Sequence, residues 1–82
     1  MANRTRFEML CDILNAATTP VTRTKLMYKA FLPQSQVQEA TAFLIRKGLV
    51  QFEPLDQTFA TTQKGRQTLE KVQTLREMLV VV

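Results

Sequence analysis

The sequence predicts a mainly α domain with one small β-hairpin, its elements in the order helix, helix, helix, hairpin, helix. Three observations carry that prediction. Apolar residues recur at helical spacing in four separate segments. Start and stop signals cut those segments apart: Thr5 with Glu8, Thr19-Pro20 ahead of Thr22, then Pro33, Gly48 and Thr62. Between the third and fourth segments, Leu49-Val50-Gln51-Phe52 and Thr58-Phe59-Ala60-Thr61 flank the turn Glu53-Pro54-Leu55-Asp56-Gln57.

The first helix is expected over about Arg6–Ala17. Thr5 and Glu8 have capping-box spacing, each side chain satisfying the other's free backbone N–H. Phe7, Leu10, Cys11, Leu14 and Ala17 make one apolar stripe, with Met9 and Ile13 to one side suggesting a second contact surface. Pro20 drives Thr19 out of helical geometry and ends the segment. Thr22 then caps a short second helix, about Arg23–Lys29, that offers Leu26, Met27 and Ala30 to the core. Phe31-Leu32-Pro33 is the turn, and the third helix runs from Pro33 or Gln34 to Lys47, where Gly48 terminates it. Thr62 caps the last helix, about Gln63–Val80, with Leu69, Val72, Leu75 and Leu79 on one face. At 1.5 Å per residue it would be about 27 Å long. Two helices joined by a short turn, a third ahead of them and a hairpin behind: this is the order of a winged helix-turn-helix.

Eighty-two residues make one domain, with 1–62 as the winged helix-turn-helix and 63–82 as an appended helix. The chain has no histidine and one cysteine. An internal disulfide is impossible, a structural metal site lacks its usual ligands, and no cofactor is implied. There is no glycine-rich phosphate loop and no converging carboxylate pair, so an enzyme is not expected. Cys11 falls on the buried stripe, where it acts as a small hydrophobe. The start has no signal-peptide pattern, since Glu8 and Asp12 interrupt the apolar run. The stretch from Met78 to Val82 is far too short to span a bilayer. A cytoplasmic, chromosome-associated location is the expectation.

Eleven Lys and Arg against seven Asp and Glu give a net charge of +4. Residues 1–30 hold five basic and two acidic side chains, 31–60 two and three, and 61–82 four and two. The excess belongs to the first and last segments, and a basic surface attracts nucleic acid.

On the third helix, Val37, Ala40, Thr41 and Leu44 point one way, with Phe43 and Ile45 on the flanks. The opposite face begins with small or amide side chains. Gln34, Ser35, Gln36, Gln38 and Ala42 are the candidates for base contact: Gln pairs with adenine N6 and N7, Ser with several base edges, and Ala42 permits close approach to a thymine methyl. Such a face in isolation is what any solvated helix carries, and Glu39 within it repels phosphate. Within the full helix-turn-helix order it points to the major groove. Thr22, Arg23, Thr24 and Lys25 sit where free N–H groups at a helix start favour phosphate. Arg4, Arg6, Arg46, Lys47, Lys64 and Arg66 complete the candidate phosphate contacts. The wing carries Glu53 and Asp56 and no Lys or Arg, so little affinity is expected from it. Val72, Leu75, Leu79 and Val82 repeat at coiled-coil spacing and leave apolar surface in water unless a second subunit covers it.

The runs Arg6-Phe7-Glu8 to Asp12-Ile13-Leu14, Pro20-Val21-Thr22, and Thr24-Lys25-Leu26-Met27-Tyr28-Lys29-Ala30 resemble the small archaeal winged-helix DNA-binding proteins. So do Ser35-Gln36, Phe43-Leu44-Ile45 with Lys47-Gly48-Leu49, and Thr61-Thr62 with Lys64-Gly65. The likeness covers nearly the whole chain. It implies homodimers held by antiparallel pairing of the last helices, acting as transcription regulators or chromosome-coating proteins. Two features depart from the family pattern: Pro33 stands where a Ser cap is common, and the wing turn is acidic. The function expected is sequence-preferring binding of double-stranded DNA by a homodimer. Non-specific coating of the chromosome, or protein contact through the winged helix, are the alternatives.

Overall fold

The computed structural model describes residues 4–79. Its elements are α1 (Arg6–Ala16), β1 (Val21–Thr22), α2 (Arg23–Ala30), α3 (Gln34–Arg46), β2 (Val50–Glu53), β3 (Thr58–Thr61) and α4 (Gln63–Leu79). This is a winged helix-turn-helix with a long C-terminal helix. The expected end of the last helix, at Val80, lies outside the described residues.

Local chemistry sets the helix starts. The Thr5 hydroxyl accepts from the Glu8 N–H while the Glu8 carboxylate accepts from the Thr5 N–H, both at 3.0 Å, closing the expected capping box. Thr22 accepts from the Lys25 N–H and Thr62 from the Gly65 N–H. Pro33 is the N-cap of α3, one position outside the helix, and makes no side-chain cap bond. The turn before it bends at Phe31, which adopts the left-handed conformation (φ 55°, ψ 52°). That is unusual for a bulky residue.

One strand escaped the sequence reading. Val21–Thr22 forms β1, and the sheet is three-stranded and antiparallel in the order β1-β3-β2. Val21 pairs with Phe59, and Phe52 with Phe59 on the other side. The signal was the β-branched Val-Thr pair, but two residues squeezed between Pro20 and a helix cap are too few for periodicity to register. The pairing ties the start of α2 to the wing.

The core draws on every layer: Ile13, Leu14 and Ala17 from α1, Leu26 and Ala30 from α2, Val37, Ala40 and Leu44 from α3, Val50 and Phe59 from the sheet. The α3 assignment matches the expected face. In α1 the expected stripe needs correction. Ile13, read as lying to one side, has no exposed surface, whereas Phe7 is 55% exposed. The reason is geometric: α1 is packed by α2, α3 and α4 together, so its buried arc is wide, while its first turn overhangs the body.

The hairpin is stitched to α1 through main-chain carbonyls. The buried Thr61 hydroxyl donates to Leu14 O at 2.7 Å, and the Thr61 N–H to Ala17 O at 2.8 Å. Among the described residues every buried side-chain polar atom has a hydrogen-bond partner.

Candidate nucleic-acid interface

The outer face of α3 is uncovered. Gln34, Ser35, Gln36, Gln38, Glu39, Ala42 and Arg46 are all exposed, while Val37, Ala40, Thr41 and Leu44 are buried. Thr41 reconciles its hydroxyl with burial by donating within the helix to Val37 O (2.8 Å) and Gln38 O (3.1 Å). At 100° per residue, Ser35, Ala42 and Arg46 form the crest, with Glu39 beside Arg46. Gln38 turns toward the wing, and Gln36 toward the flank that carries Phe43 and Lys47. The five candidate base contacts therefore fan across the crest and both shoulders.

On the wing side a recess of about 250 Å³ is lined by Arg23, Gln38, Thr41, Ala42, Ile45, Phe52 and Phe59. The Phe52 and Phe59 rings pack at a 48° tilt, 4.9 Å between centroids. A neighbouring recess of about 390 Å³ lies at the start of α2, among Thr22, Arg23, Thr24, Asp56 and Gln57. The guanidinium of Arg23 lies 5.9 Å from the Phe59 ring, and Asp56 shares that recess with it. A phosphate entering here would meet the helix start and Arg23, and also a carboxylate.

Of the remaining basic candidates, Lys25 is exposed in the first turn of α2, and the other six fall into two groups with different surroundings. Arg4, Lys64 and Arg66 each donate to a main-chain carbonyl at or just past a helix end. Arg4 reaches Ala30 O (2.6 Å) and Phe31 O (2.7 Å) at the close of α2, and also pairs with Asp12 at 2.9 Å. Lys64 reaches Lys47 O at 3.0 Å past α3, and Arg66 reaches Thr18 O at 2.8 Å past α1. Helix C-termini present unpaired carbonyls and partial negative charge, so a cation there satisfies both. The second group, Arg6, Arg46 and Lys47, surrounds the ring of Phe43 at 5.1, 5.8 and 5.6 Å from its centroid. Spacing along the chain allowed each residue to be singled out. It did not show which would be drawn to a helix end from a distant segment.

The wing is as acidic in space as in sequence. Glu53 accepts from the Leu55 N–H at 3.1 Å, bracing the turn, and Leu55 at its tip is 91% exposed. On α4, Leu69 and Val72 are half-buried against the body. Leu75, Met78 and Leu79 are 55%, 68% and 78% exposed. Val82, the last residue of the expected dimer stripe, lies outside the described residues.

Cys11 is buried beside α4, and that burial pushes its thiol above the ordinary value. Among the described residues no group of acidic, Cys or His side chains is arranged to hold a metal ion, and no helix is long and apolar enough to cross a membrane.

Comparison with known proteins places this geometry. No curated protein matches the chain. Among solved structures it is similar to Sso10a-2, described as a DNA-binding protein from Sulfolobus solfataricus, with a TM-score of 0.70 and 24% identity. That match covers 93% of this chain and 85% of the other, and it shows a shared fold. The winged helix-turn-helix family model matches residues 3–80, and the protein belongs to that family.

Proposed function

We propose that the protein binds double-stranded DNA as a homodimeric, sequence-preferring transcription regulator on the chromosome, with residues 1–62 reading the duplex and 63–82 pairing the subunits. One observation carries this reading: the outer face of α3, with Gln34, Ser35, Gln36, Gln38 and Ala42, is open to solvent on an element whose opposite side is locked into the core. A helix held in that way enters a major groove without unpacking anything. Family membership supports the reading, as does the Sulfolobus neighbour described as DNA-binding.

In this reading the five α3 residues meet base edges, while Arg6, Thr22, Arg23, Thr24, Lys25, Arg46 and Lys47 meet phosphates. Lys64 and Arg66 keep further N–H donors beyond the carbonyl each serves, so they remain candidates at the edge of the footprint. Arg4, whose guanidinium already serves three acceptors, has the fewest donors left and stands last among the phosphate candidates. Neither metal nor cofactor has a part in such binding, and no step of it is catalytic.

Selection of bound duplexes from a random pool, followed by sequencing, tests the proposal. A sharp palindromic motif is the expected result. Gln38→Ala then relaxes preference at one base pair, by about 1–3 kcal/mol if the contact is bidentate. Equal affinity for all sequences would instead mark a chromosome-coating protein, and failure to shift any duplex at low salt removes the reading.

The exposed Leu55 between Glu53 and Asp56 favours one other reading, a winged helix used for protein contact. A stoichiometric protein partner recovered together with absent DNA binding would decide for it.

A further inference from the structure

Three of the protein's cations converge on one side chain. The guanidinium groups of Arg6, from the start of α1, and of Arg46, at the end of α3, and the ammonium of Lys47, just past it, lie 5.1–5.8 Å from the Phe43 ring centroid. All three are therefore closer to the ring than one screening length in physiological salt, about 8 Å. The single ion pair among the described residues is Arg4–Asp12, so no described carboxylate is paired with this cluster, although Glu39 lies on the same exposed face of α3. Nor does any of the three donate a side-chain hydrogen bond among the described residues. They differ in this from Arg4, Lys64 and Arg66, which are engaged at helix ends.

The face of a ring attracts a cation, and three cations seated round one ring concentrate positive charge at a single place on the surface. The cluster is a positive spot that attracts an external polyanion. Its position is informative too. Arg46 belongs to the crest of α3, and Phe43 and Lys47 occupy the shoulder away from the wing, beside Gln36. On the wing side one cation shares its recess with a carboxylate, Arg23 with Asp56, and the hairpin carries Glu53 and Asp56 and no Lys or Arg.

From this asymmetry we infer that Arg6, Arg46 and Lys47, gathered on Phe43, form the main grip on a phosphodiester strand of the duplex, on the α1 side of α3 and in place of the wing. The inference rests on the DNA-binding reading and adds to it where the backbone is held. Phe43 is a positioning residue: half-buried against the core, it gives three long side chains from two helices a common seat. The wing then serves as a structural brace and an open surface, and its acidity is tolerated because the main phosphate contacts lie elsewhere.

The salt dependence of binding to a mixed-sequence duplex of about 20 base pairs tests this. The wild type is compared with the triple variant Arg6→Gln, Arg46→Gln, Lys47→Gln, and with the control Lys29→Gln, Lys71→Gln, which removes charge elsewhere on the surface. Circular dichroism confirms that each variant is folded. Each phosphate contact contributes about 0.9 to the slope of log affinity against log salt, so the triple variant is expected to flatten that slope by about 2–3 while the control leaves it unchanged. A triple variant that keeps the wild-type slope, or a control that flattens it equally per charge, overturns the inference while leaving DNA binding intact. A wild type that shifts no duplex at low salt fails at the earlier reading and brings this one down with it.

Discussion

Gly65 shows how much one residue decides. A Cβ built there would stand 2.3 Å from Leu49 O and 2.5 Å from the Thr61 methyl, so α4 lies on the hairpin only because that atom is absent. The contact with Leu49 is backbone, which cannot swing aside. Gly65→Ala is expected to destabilise by about 2 kcal/mol or more. A melt should show a fall of roughly 8–16 °C, at about 4–8 °C per kcal/mol for a domain this size. Arg4 makes a second case at this scale. Replacing it with Gln removes charged hydrogen bonds to the end of α2 and the pair with Asp12. Both ionic side chains are partly exposed (32% and 45%), so solvent screening discounts the pair, and the net loss should be about 1 kcal/mol. The same variant should leave the salt slope of DNA binding unchanged. A flattened slope without loss of stability would mean that Arg4 touches phosphate after all.

At the scale of elements, the helices and their caps followed from local chemistry, but the direction each helix faces did not. In α1 the stripe through Leu10, Leu14 and Ala17 was legible, whereas the burial of Ile13 required α2 and α3 to close over the same side. Ile13→Ala is expected to cost about 2–5 kcal/mol, while Phe7→Ala should cost under about 1, since much of Phe7 remains in water. Equal losses from chemical denaturation of the two variants would contradict the observed orientation. The C-terminal ends show a related pattern. The end of α2 is closed by Arg4, that of α3 by Lys64, and the turn after α1 by Arg66, so each cation comes from another segment. Sequence-based capping rules look along the chain and do not reach such partners.

For the whole molecule, the charge of +4 divides into cations that hold the fold together and cations left at the surface beside α3. The acidic wing belongs to the same division. Apolar surface is divided as well. The far end of α4 carries Leu75, Met78 and Leu79 past the body, with more than half of each in water. If the last helices pair, light scattering should give twice the 9.4 kDa chain mass, and Leu75→Asp with Leu79→Asp should return the monomer. A wild type that is monomeric at high concentration would remove dimerisation from the proposal.

Taken alone, the sequence determined the element order, the helix starts, the buried face of α3 and the open face opposite it. These depend on periodicity and on bonds spanning three or four residues. Only the tertiary structure decided the third strand, the place of Ile13, the need for glycine at position 65, and which cations are spent on carbonyls and which converge on Phe43. Each of these joins groups far apart along the chain, where distance in space is set by packing and leaves no mark in local spacing.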